Sequence, residues 1–143
     1  MDATIRELME LYVPFNRFLG MKLDESRPGF VRFRLPFRDE FIGDPLRRAL
    51  HGGVISTMAD VAGGTAVWTK LPDPVRGRVS TIDLRVDYLR PGRGETLVAE
   101  AHVVRSGNRV GVADVRLFHE GDAETTIATG KGVYNIKLVR DGA

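Results

Sequence analysis

The stretch His51-Gly52-Gly53-Val54-Ile55-Ser56-Thr57-Met58-Ala59-Asp60 opens a long apolar segment of this 143-residue chain. Ala, Val, Ile and Met dominate the segment, and Asp60 is its only charged residue before Trp68. We predict a helix from about Gly53 to Thr69, which ends before Leu71-Pro72-Asp73-Pro74 because proline disfavours helical backbone in the preceding residue. An unpaired buried carboxylate costs several kcal/mol, so Asp60 either has a compensating partner or faces a cavity.

The start of this helix suits the binding of negative charge. The first backbone N–H groups of a helix lack intrahelical acceptors, and glycine leaves them accessible to an anion or a developing oxyanion. Gly52 is therefore a candidate oxyanion donor, and Asp60 is a candidate for attack on a carbonyl carbon. We expect His51 mainly to cap the helix or brace the loop, and we keep it as a candidate catalytic residue. Gly63 and Gly64 each cost roughly 1 kcal/mol relative to alanine, which predicts a very close neighbour there.

Alternating apolar and polar residues predict six strands around the helix. The strands are Met21–Glu25, Phe30–Leu35, Val79–Leu89, Thr96–Arg105, Val110–His119 and Thr125–Leu138. A short amphipathic helix over residues 3–12 precedes them, and Pro14 ends or kinks it. Two strands, the long helix and then four strands in a meander predict an α+β domain in which a long antiparallel sheet wraps around one central helix. We expect a single domain over residues 1–143, with a core from about residue 18 to residue 139.

Composition narrows the classes of function. The chain is 43% hydrophobic and 28% charged with a formal net charge of +2, and its scattered basic residues argue against nucleic acid as the main ligand. Because cysteine is absent and the histidines lack metal-ligand spacing, we expect neither a thiolate nucleophile nor a metal or other cofactor. The N-terminus lacks the apolar segment of a signal peptide, and no apolar run approaches the ~20 residues of a membrane span. These features predict a cytoplasmic protein without a membrane partner.

Two motifs together resemble those of the hotdog-fold acyl-CoA thioesterases, in particular the phenylacetate-pathway and 4-hydroxybenzoyl-CoA thioesterase-like group. The first is His-Gly-Gly-Val followed by Asp60, and the second is the strand Ser80-Thr81-Ile82-Asp83-Leu84-Arg85-Val86-Asp87-Tyr88-Leu89-Arg90-Pro91. The resemblance extends from about Phe18 to Val139. It implies hydrolysis of an acyl- or aryl-CoA thioester to the free acid and CoA by a homo-oligomer, expected as a homodimer that pairs into a homotetramer.

The resemblance also implies roles for individual residues. In such enzymes the carboxylate at the Asp60 position is the nucleophile or the general base, and the backbone N–H at the Gly52 position polarises the thioester carbonyl. A hydroxyl that matches Thr81 helps to hold the attacking water. Many relatives have Asn or Gln six residues before the histidine, where this chain has Pro45, so Asp44 is the candidate for that role, although a carboxylate cannot donate an amide hydrogen bond. The implied CoA-binding residues are Asp83, Tyr88, Arg90, Arg105, Gly107, Asn108 and Arg109.

The chemistry of thioesters agrees with this assignment. Sulfur delocalises poorly into the carbonyl and thiolate is a good leaving group, so a carboxylate and one or two oxyanion donors suffice without a Ser-His-Asp triad. The chain indeed has no Gly-x-Ser-x-Gly motif. Two alternatives stay open: a hotdog hydratase or dehydratase that acts on β-hydroxyacyl thioesters, and a non-catalytic acyl-CoA-binding module.

Helix geometry predicts that one chain cannot complete the site. Eight residues separate Gly52 from Asp60, which is about 12 Å along the axis at ~1.5 Å per residue. A thioester carbonyl must lie within about 3–3.5 Å of both its oxyanion donor and the attacking atom. Two antiparallel helices related by a twofold axis would bring Gly52 of one subunit beside Asp60 of the other. Such a close helix pair would also explain Gly63 and Gly64.

Overall fold

The computed structural model of the chain describes residues 2–138, so Val139, the last residue of the predicted core, lies outside the described residues. The helices and strands are α1 (Asp2–Glu7), α2 (Pro14–Leu19), β1 (Lys22–Arg27), β2 (Phe30–Leu35), β3 (Ile42–Asp44), β4 (Ala49–Leu50), α3 (Gly52–Trp68), β5 (Arg78–Tyr88), β6 (Leu97–Ser106), β7 (Val110–His119) and β8 (Asp122–Lys137). None of the helices in this range is long and apolar enough to cross a membrane.

One six-stranded antiparallel sheet and the helix α3 form the two main layers. The strand order is β1-β2-β6-β7-β8-β5, while β3 and β4 form a separate two-stranded ribbon. The helix packs against β2 and against all four strands from β5 to β8. Its residues Ile55, Met58, Ala59, Ala62 and Ala66 are buried in the main hydrophobic core. The expected α+β architecture, with a long antiparallel sheet and one central helix, is confirmed.

The N-terminal region is more helical than its periodicity indicates. α1 continues as a π-helical segment, Leu8–Tyr12, and a second helix begins at Pro14. Proline is favoured at the first position of a helix, because its missing N–H has no intrahelical acceptor there. The proline therefore separates two helical segments, and the second one was not predicted. Gly20 ends α2 in the left-handed conformation, with a φ of 79°.

The predicted meander of four strands is wrong at one connection. β6, β7 and β8 are sequential neighbours, but β5 pairs with β8 at the edge of the sheet instead of with β6. Alternation of apolar residues identifies a strand but does not identify its neighbour. The segment 89–96 contains proline and two glycines, a composition that suits a turn but does not show which strand follows beside β5. Because of this placement, one edge of β5 has no partner strand in the described chain.

A β-bulge changes which side of β5 faces α3. The register with β8 slips by one residue after Thr81, which leaves Ile82 as the extra residue. Strict alternation would place Thr81 on the face opposite to Tyr88. In the structure both hydroxyls reach α3: that of Thr81 contacts the Asp60 carboxylate, and that of Tyr88 contacts the Gly52 carbonyl. The bulge thus lets one strand contact the start and the middle of the same helix.

The close neighbour of Gly63 and Gly64 is the ring of Tyr134, on β8 of the same chain. A Cβ atom on Gly63 would overlap the Tyr134 hydroxyl, and one on Gly64 would lie 3.2 Å from the ring. The hydroxyl donates a hydrogen bond to the Asp60 carbonyl at 3.0 Å. Burial, and secondly the charge of Asp60, raise the pKa of Tyr134 well above its usual value, so the hydroxyl remains a donor. A tyrosine therefore replaces the second helix as the explanation of both glycines.

This contact predicts different effects for two neighbouring alanine substitutions. Both Gly63→Ala and Gly64→Ala gain helix propensity. Gly63→Ala must displace the Tyr134 hydroxyl, whereas Gly64→Ala requires the ring to shift by only a few tenths of an ångström. We expect Gly63→Ala to have a free energy of unfolding about 1–3 kcal/mol lower than Gly64→Ala, which is the usual cost of overpacking. Urea unfolding followed by circular dichroism measures this difference, and equal stabilities of the two variants would contradict the packing described.

Candidate active site

A cleft of about 190 Å³ runs along one side of α3. The helix lines it with residues that recur at helical spacing: Asp60, Val61, Gly64, Thr65 and Trp68. The N-terminal helical region contributes Met9, Val13 and Asn16, and the sheet contributes Val79, Thr81 and Tyr134. Asp60 is the only charged residue of this lining. The carboxylate singled out in the sequence therefore faces a mostly apolar cleft.

Asp60 is compensated by a hydroxyl group and not by a cation. The Thr81 hydroxyl donates a hydrogen bond to Asp60 Oδ1 at 2.8 Å. Among residues 2–138, the Asp60 carboxylate forms no ion pair. The Asp60 side chain is half-buried in the single chain. A carboxylate that is held by a hydroxyl and open to a cleft can act as a nucleophile or accept a proton.

His51 and the two glycines after it form the start of α3. The His51 side chain caps the helix, since its Nδ1 accepts the Gly53 N–H at 2.8 Å. A Cβ atom on Gly53 would lie 2.9 Å from this nitrogen, so the cap requires glycine at position 53. In contrast, a Cβ on Gly52 would make only an ordinary contact, 3.5 Å from the Tyr88 ring. Packing therefore accounts for Gly53 but leaves the glycine at position 52 unexplained.

The Gly52 amide has no acceptor in the part of the chain that the structure describes. Its carbonyl, in contrast, accepts hydrogen bonds from the Tyr88 hydroxyl at 2.9 Å and from the Ser56 hydroxyl at 2.8 Å. These two bonds hold the peptide group that follows Gly52. The His51 carbonyl shares its peptide group with the Gly52 N–H, and it accepts the Val54 N–H at 2.9 Å, which holds that group in place as well. A free, fixed N–H at a helix start is the arrangement that an oxyanion requires.

The predicted catalytic residues form separate groups. Asp60 and Thr81 are in contact, whereas Gly52 lies two helical turns away, about 12 Å along α3 at the usual rise. Asp44 belongs to neither group. Its Oδ1 accepts the backbone N–H groups of Leu46 and Arg47 at 3.1 and 3.2 Å, which closes a tight turn.

The predicted CoA-binding residues lie at opposite ends of the sheet. Tyr88 pairs with Ala128 on β8, while the Arg109 carbonyl accepts the Ile136 N–H at 2.7 Å. Eight strand residues at about 3.3 Å each separate these positions by about 26 Å. Arg90 lies at the Tyr88 end, where its guanidinium donates to the Thr126 carbonyl.

The remaining predicted CoA-binding residues are exposed. Asp83 lies directly after the bulge in β5. Gly107 and Asn108 belong to the turn between β6 and β7, which the Gly107 N–H closes by donating to the Val110 carbonyl at 2.9 Å. Arg105 flanks this turn on β6, and neither its guanidinium nor that of Arg109 forms an ion pair within residues 2–138.

Of the residues that line the cleft, only Asp60 and Thr81 were predicted as site residues, and Asn16, Trp68 and Tyr134 are among those that were missed. Asn16 is 3% exposed, and its amide donates to the Met9 sulfur at 3.7 Å. The Trp68 indole N–H donates to the Pro74 carbonyl at 2.5 Å, and Tyr134 contacts the helix as described above. Asn16 had no signal because α2 was not predicted. Trp68 follows Asp60 by eight residues, close to two full helical turns, and this spacing could have indicated it.

Comparisons with known proteins identify the family of the chain. The model of the thioesterase superfamily matches residues 48–126. The medium/long-chain acyl-CoA thioesterase YigI of Escherichia coli K12 is 40% identical, over 92% of this chain and 91% of YigI. A crystal structure from Shewanella oneidensis, described as related to the thioesterase superfamily, has a TM-score of 0.83 at 34% identity and covers 93% of both chains. The PaaI protein of the E. coli phenylacetic acid degradation operon has the same fold, with a TM-score of 0.81 at 22% identity over 96% of this chain and 93% of its own.

The chain belongs to the thioesterase superfamily. The class predicted from the His-Gly-Gly and Asp60 motifs, a thioester hydrolase with the hotdog fold, is confirmed.

The capping contact of His51 predicts a difference between two substitutions. His51→Ala removes the acceptor of the Gly53 N–H and should lower the free energy of unfolding by about 1 kcal/mol. His51→Asn keeps a side-chain acceptor at the cap and should retain most of this stability. Thermal and urea unfolding of both variants test the prediction. If the alanine and asparagine variants are equally destabilised, the cap is not what His51 contributes.

Proposed function

We propose that the protein hydrolyses acyl-CoA thioesters with medium or long acyl chains to the free acid and CoA. The observation that carries the proposal is the Asp60 carboxylate, which faces an apolar cleft and is held there by the Thr81 hydroxyl. The substrate named for YigI, which is 40% identical, supports the same class of substrate. An apolar cleft with one reactive polar end suits a substrate with a thioester head and an aliphatic tail.

The proposed reaction uses the same groups by either of two routes. As a general base, Asp60 takes a proton from water while the water oxygen bonds to the carbonyl carbon. As a nucleophile, the carboxylate bonds to that carbon and water then hydrolyses the resulting anhydride. In both routes the carbon–sulfur bond breaks and CoA leaves as a thiolate. Thr81 orients the carboxylate or its water, and the Gly52 N–H stabilises the negative oxygen.

The active unit is proposed to be a homodimer that forms at the free edge of β5. This edge strand has eleven residues. Its apolar side chains Ile82 and Tyr88 are 57% and 52% exposed, and Leu89, which directly follows the strand, is 53% exposed. A long apolar edge strand readily pairs with another strand. Twofold symmetry makes the two β5 strands and the two α3 helices antiparallel, so that Gly52 of one subunit approaches Asp60 of the other. We also propose that two such dimers pair into a tetramer and that the protein is cytoplasmic.

The same symmetry joins the separated CoA-binding residues. Antiparallel pairing of β5 places the end of one strand, with Tyr88 and Arg90, beside the beginning of the other. The beginning of β5 and the beginning of β7 both pair with the end of β8. The beginning of β5 therefore lies close to the turn between β6 and β7, which Arg105 and Arg109 flank. We therefore propose that arginines of both subunits contact the phosphates of one CoA molecule, since guanidinium groups bind phosphate well.

The reaction is tested by measuring thiol release from phenylacetyl-, benzoyl-, short-, medium- and long-chain acyl-CoA. We expect release to be fastest with medium or long chains, and Asp60→Asn should lose more than a hundredfold in rate because the amide is neither a base nor an effective nucleophile. The circular dichroism spectrum of the variant serves as the control for folding. A rate within about tenfold of the wild type corresponds to a rise of only ~1.4 kcal/mol in the activation free energy and would refute the role of Asp60. Hydration without thiol release, or binding alone, would refute the hydrolase.

The oxyanion role of Gly52 is tested by a pair of substitutions. Proline at the first helical position replaces the amide hydrogen by a ring carbon without breaking an intrahelical hydrogen bond, and the φ of −61° and ψ of 131° at His51 suit a residue before proline. Gly52→Ala adds a Cβ atom at the same place as proline does, 3.5 Å from the Tyr88 ring, but keeps the N–H. We expect Gly52→Pro to lower kcat by about 10²–10³, the usual effect of losing one oxyanion donor, and Gly52→Ala to retain most activity. Similar losses in both variants would show that the side chain, and not the missing N–H, is responsible.

A further inference from the structure

The polarity of the cleft lining changes along α3. At one end lie the Asp60 carboxylate and the Thr81 hydroxyl, which contact each other. At the other end lies Trp68, with Val79 beside it in the lining. Asp60 and Trp68 are eight residues apart on one helix, which is about 12 Å along the axis. The cleft therefore has one polar end and one apolar end.

The polar residues between these ends are bonded within the protein. The Thr65 hydroxyl donates to the Val61 carbonyl at 2.7 Å, and the Asn16 amide donates to the Met9 sulfur at 3.7 Å. Gly64 lies on the same face of the helix and has no side chain to narrow the cleft. The middle of the cleft is therefore wide enough for a methylene chain. Such a chain would not break the hydrogen bonds of Thr65 and Asn16, so no polar group would be left unsatisfied.

Trp68 separates this cleft from a second cavity. The cavity has a volume of about 450 Å³ and lies among α1, the π-helical segment and the loop after α3. Trp68 is the one residue that lines both spaces. The hydrogen bond from its indole to the Pro74 carbonyl, at 2.5 Å, holds the ring in this position. Apart from Trp68, the wall of the cavity includes the apolar side chains of Ile5, Leu8 and Val75.

We propose that Trp68 is the floor of the acyl-binding site and sets the length of the acyl chain that the enzyme accepts. The inference rests on the proposed thioesterase function. The thioester carbonyl lies at Asp60, the aliphatic tail extends along α3, and its methyl end meets the indole ring. A chain too short to reach Trp68 loses apolar contact, and one that is too long meets a fixed ring. Removal of the ring joins the cleft to the second cavity and makes room for a longer tail.

The contact between tail and ring can be measured without catalysis, because Trp68 is the only tryptophan of the chain. The probes are S-alkyl-CoA thioethers of increasing chain length, which have no carbonyl to hydrolyse. We expect short alkyl chains to bind without a change in tryptophan emission and medium chains to shift it. Calorimetry on the same samples measures binding independently. If long thioethers bind and leave the emission unchanged at every length, the tail does not reach Trp68 and the proposal is wrong.

The chain-length profile of hydrolysis provides the second test. Trp68→Ala should raise kcat/KM for the longest acyl chains, relative to the wild-type optimum, by at least tenfold, since each buried methylene contributes about fourfold in affinity. Trp68→Phe keeps a ring and should give a smaller shift in the same direction. In the Trp68→Ala background, Val75→Phe refills the second cavity and should restore the original profile. Val104→Phe in that background is the matched control, because Val75 and Val104 are both exposed valines, at 69% and 56%, and only Val75 lines the cavity.

The outcomes separate the two proposals. A wild-type protein that releases no thiol from any acyl-CoA refutes the proposed function, and with it the role of Trp68. A wild-type protein that hydrolyses acyl-CoA with a profile unchanged by Trp68→Ala refutes the role of Trp68 alone. If Trp68→Ala does not fold, Trp68→Phe and the emission of the wild type decide the question.

Discussion

The alignment of α3 with β5 is the contact on which the proposed site depends. The bulge at Ile82 shifts β5 by one residue, so that the hydroxyls of Tyr88 and Thr81 reach the start and the middle of the same helix. The first contact holds the peptide carbonyl of Gly52, and the second holds the carboxylate of Asp60. Because the helix has a constant rise, the distance between these two groups is fixed at about 12 Å. A single chain therefore builds both parts of the site without joining them.

The cleft explains how an apolar helix tolerates a carboxylate. Asp60 is half-buried, accepts one hydroxyl hydrogen bond and faces open space, so it keeps access to solvent without a cationic partner. Such a partner would stabilise the charge, but it would also weaken the carboxylate as a base or nucleophile. Tyr134 supports the same residue, because its hydroxyl donates a hydrogen bond to the Asp60 backbone carbonyl. The surroundings thus fix the position of Asp60 and leave its carboxylate open to the cleft.

Much of the fold could be predicted from the sequence, because local patterns determine it. β2 and β7 have the predicted bounds, and α3 differs from its prediction by one residue at each end. The neighbour of β5, the bulge and the helix after Pro14 could not be predicted, since they depend on pairing and packing between distant segments. For the same reason Asp60 and Gly52 were evident as a charged residue and a helix start, whereas Asn16 and Tyr134 come to the cleft from distant parts of the chain. The close packing at Gly63 was predicted correctly, but a sequence pattern cannot identify the residue that fills it.

The central claim is that each active site combines Gly52 of one subunit with Asp60 of the other. Complementation tests it directly: two inactive variants, one with Asp60→Asn and one with Gly52→Pro, are mixed and allowed to exchange subunits. About half of the dimers are then mixed, and each mixed dimer contains one intact site and one site with both defects. Thiol release should therefore return to about a quarter of the wild-type specific activity. Absence of activity after subunit exchange has been demonstrated, or full activity of a wild-type monomer, would contradict it.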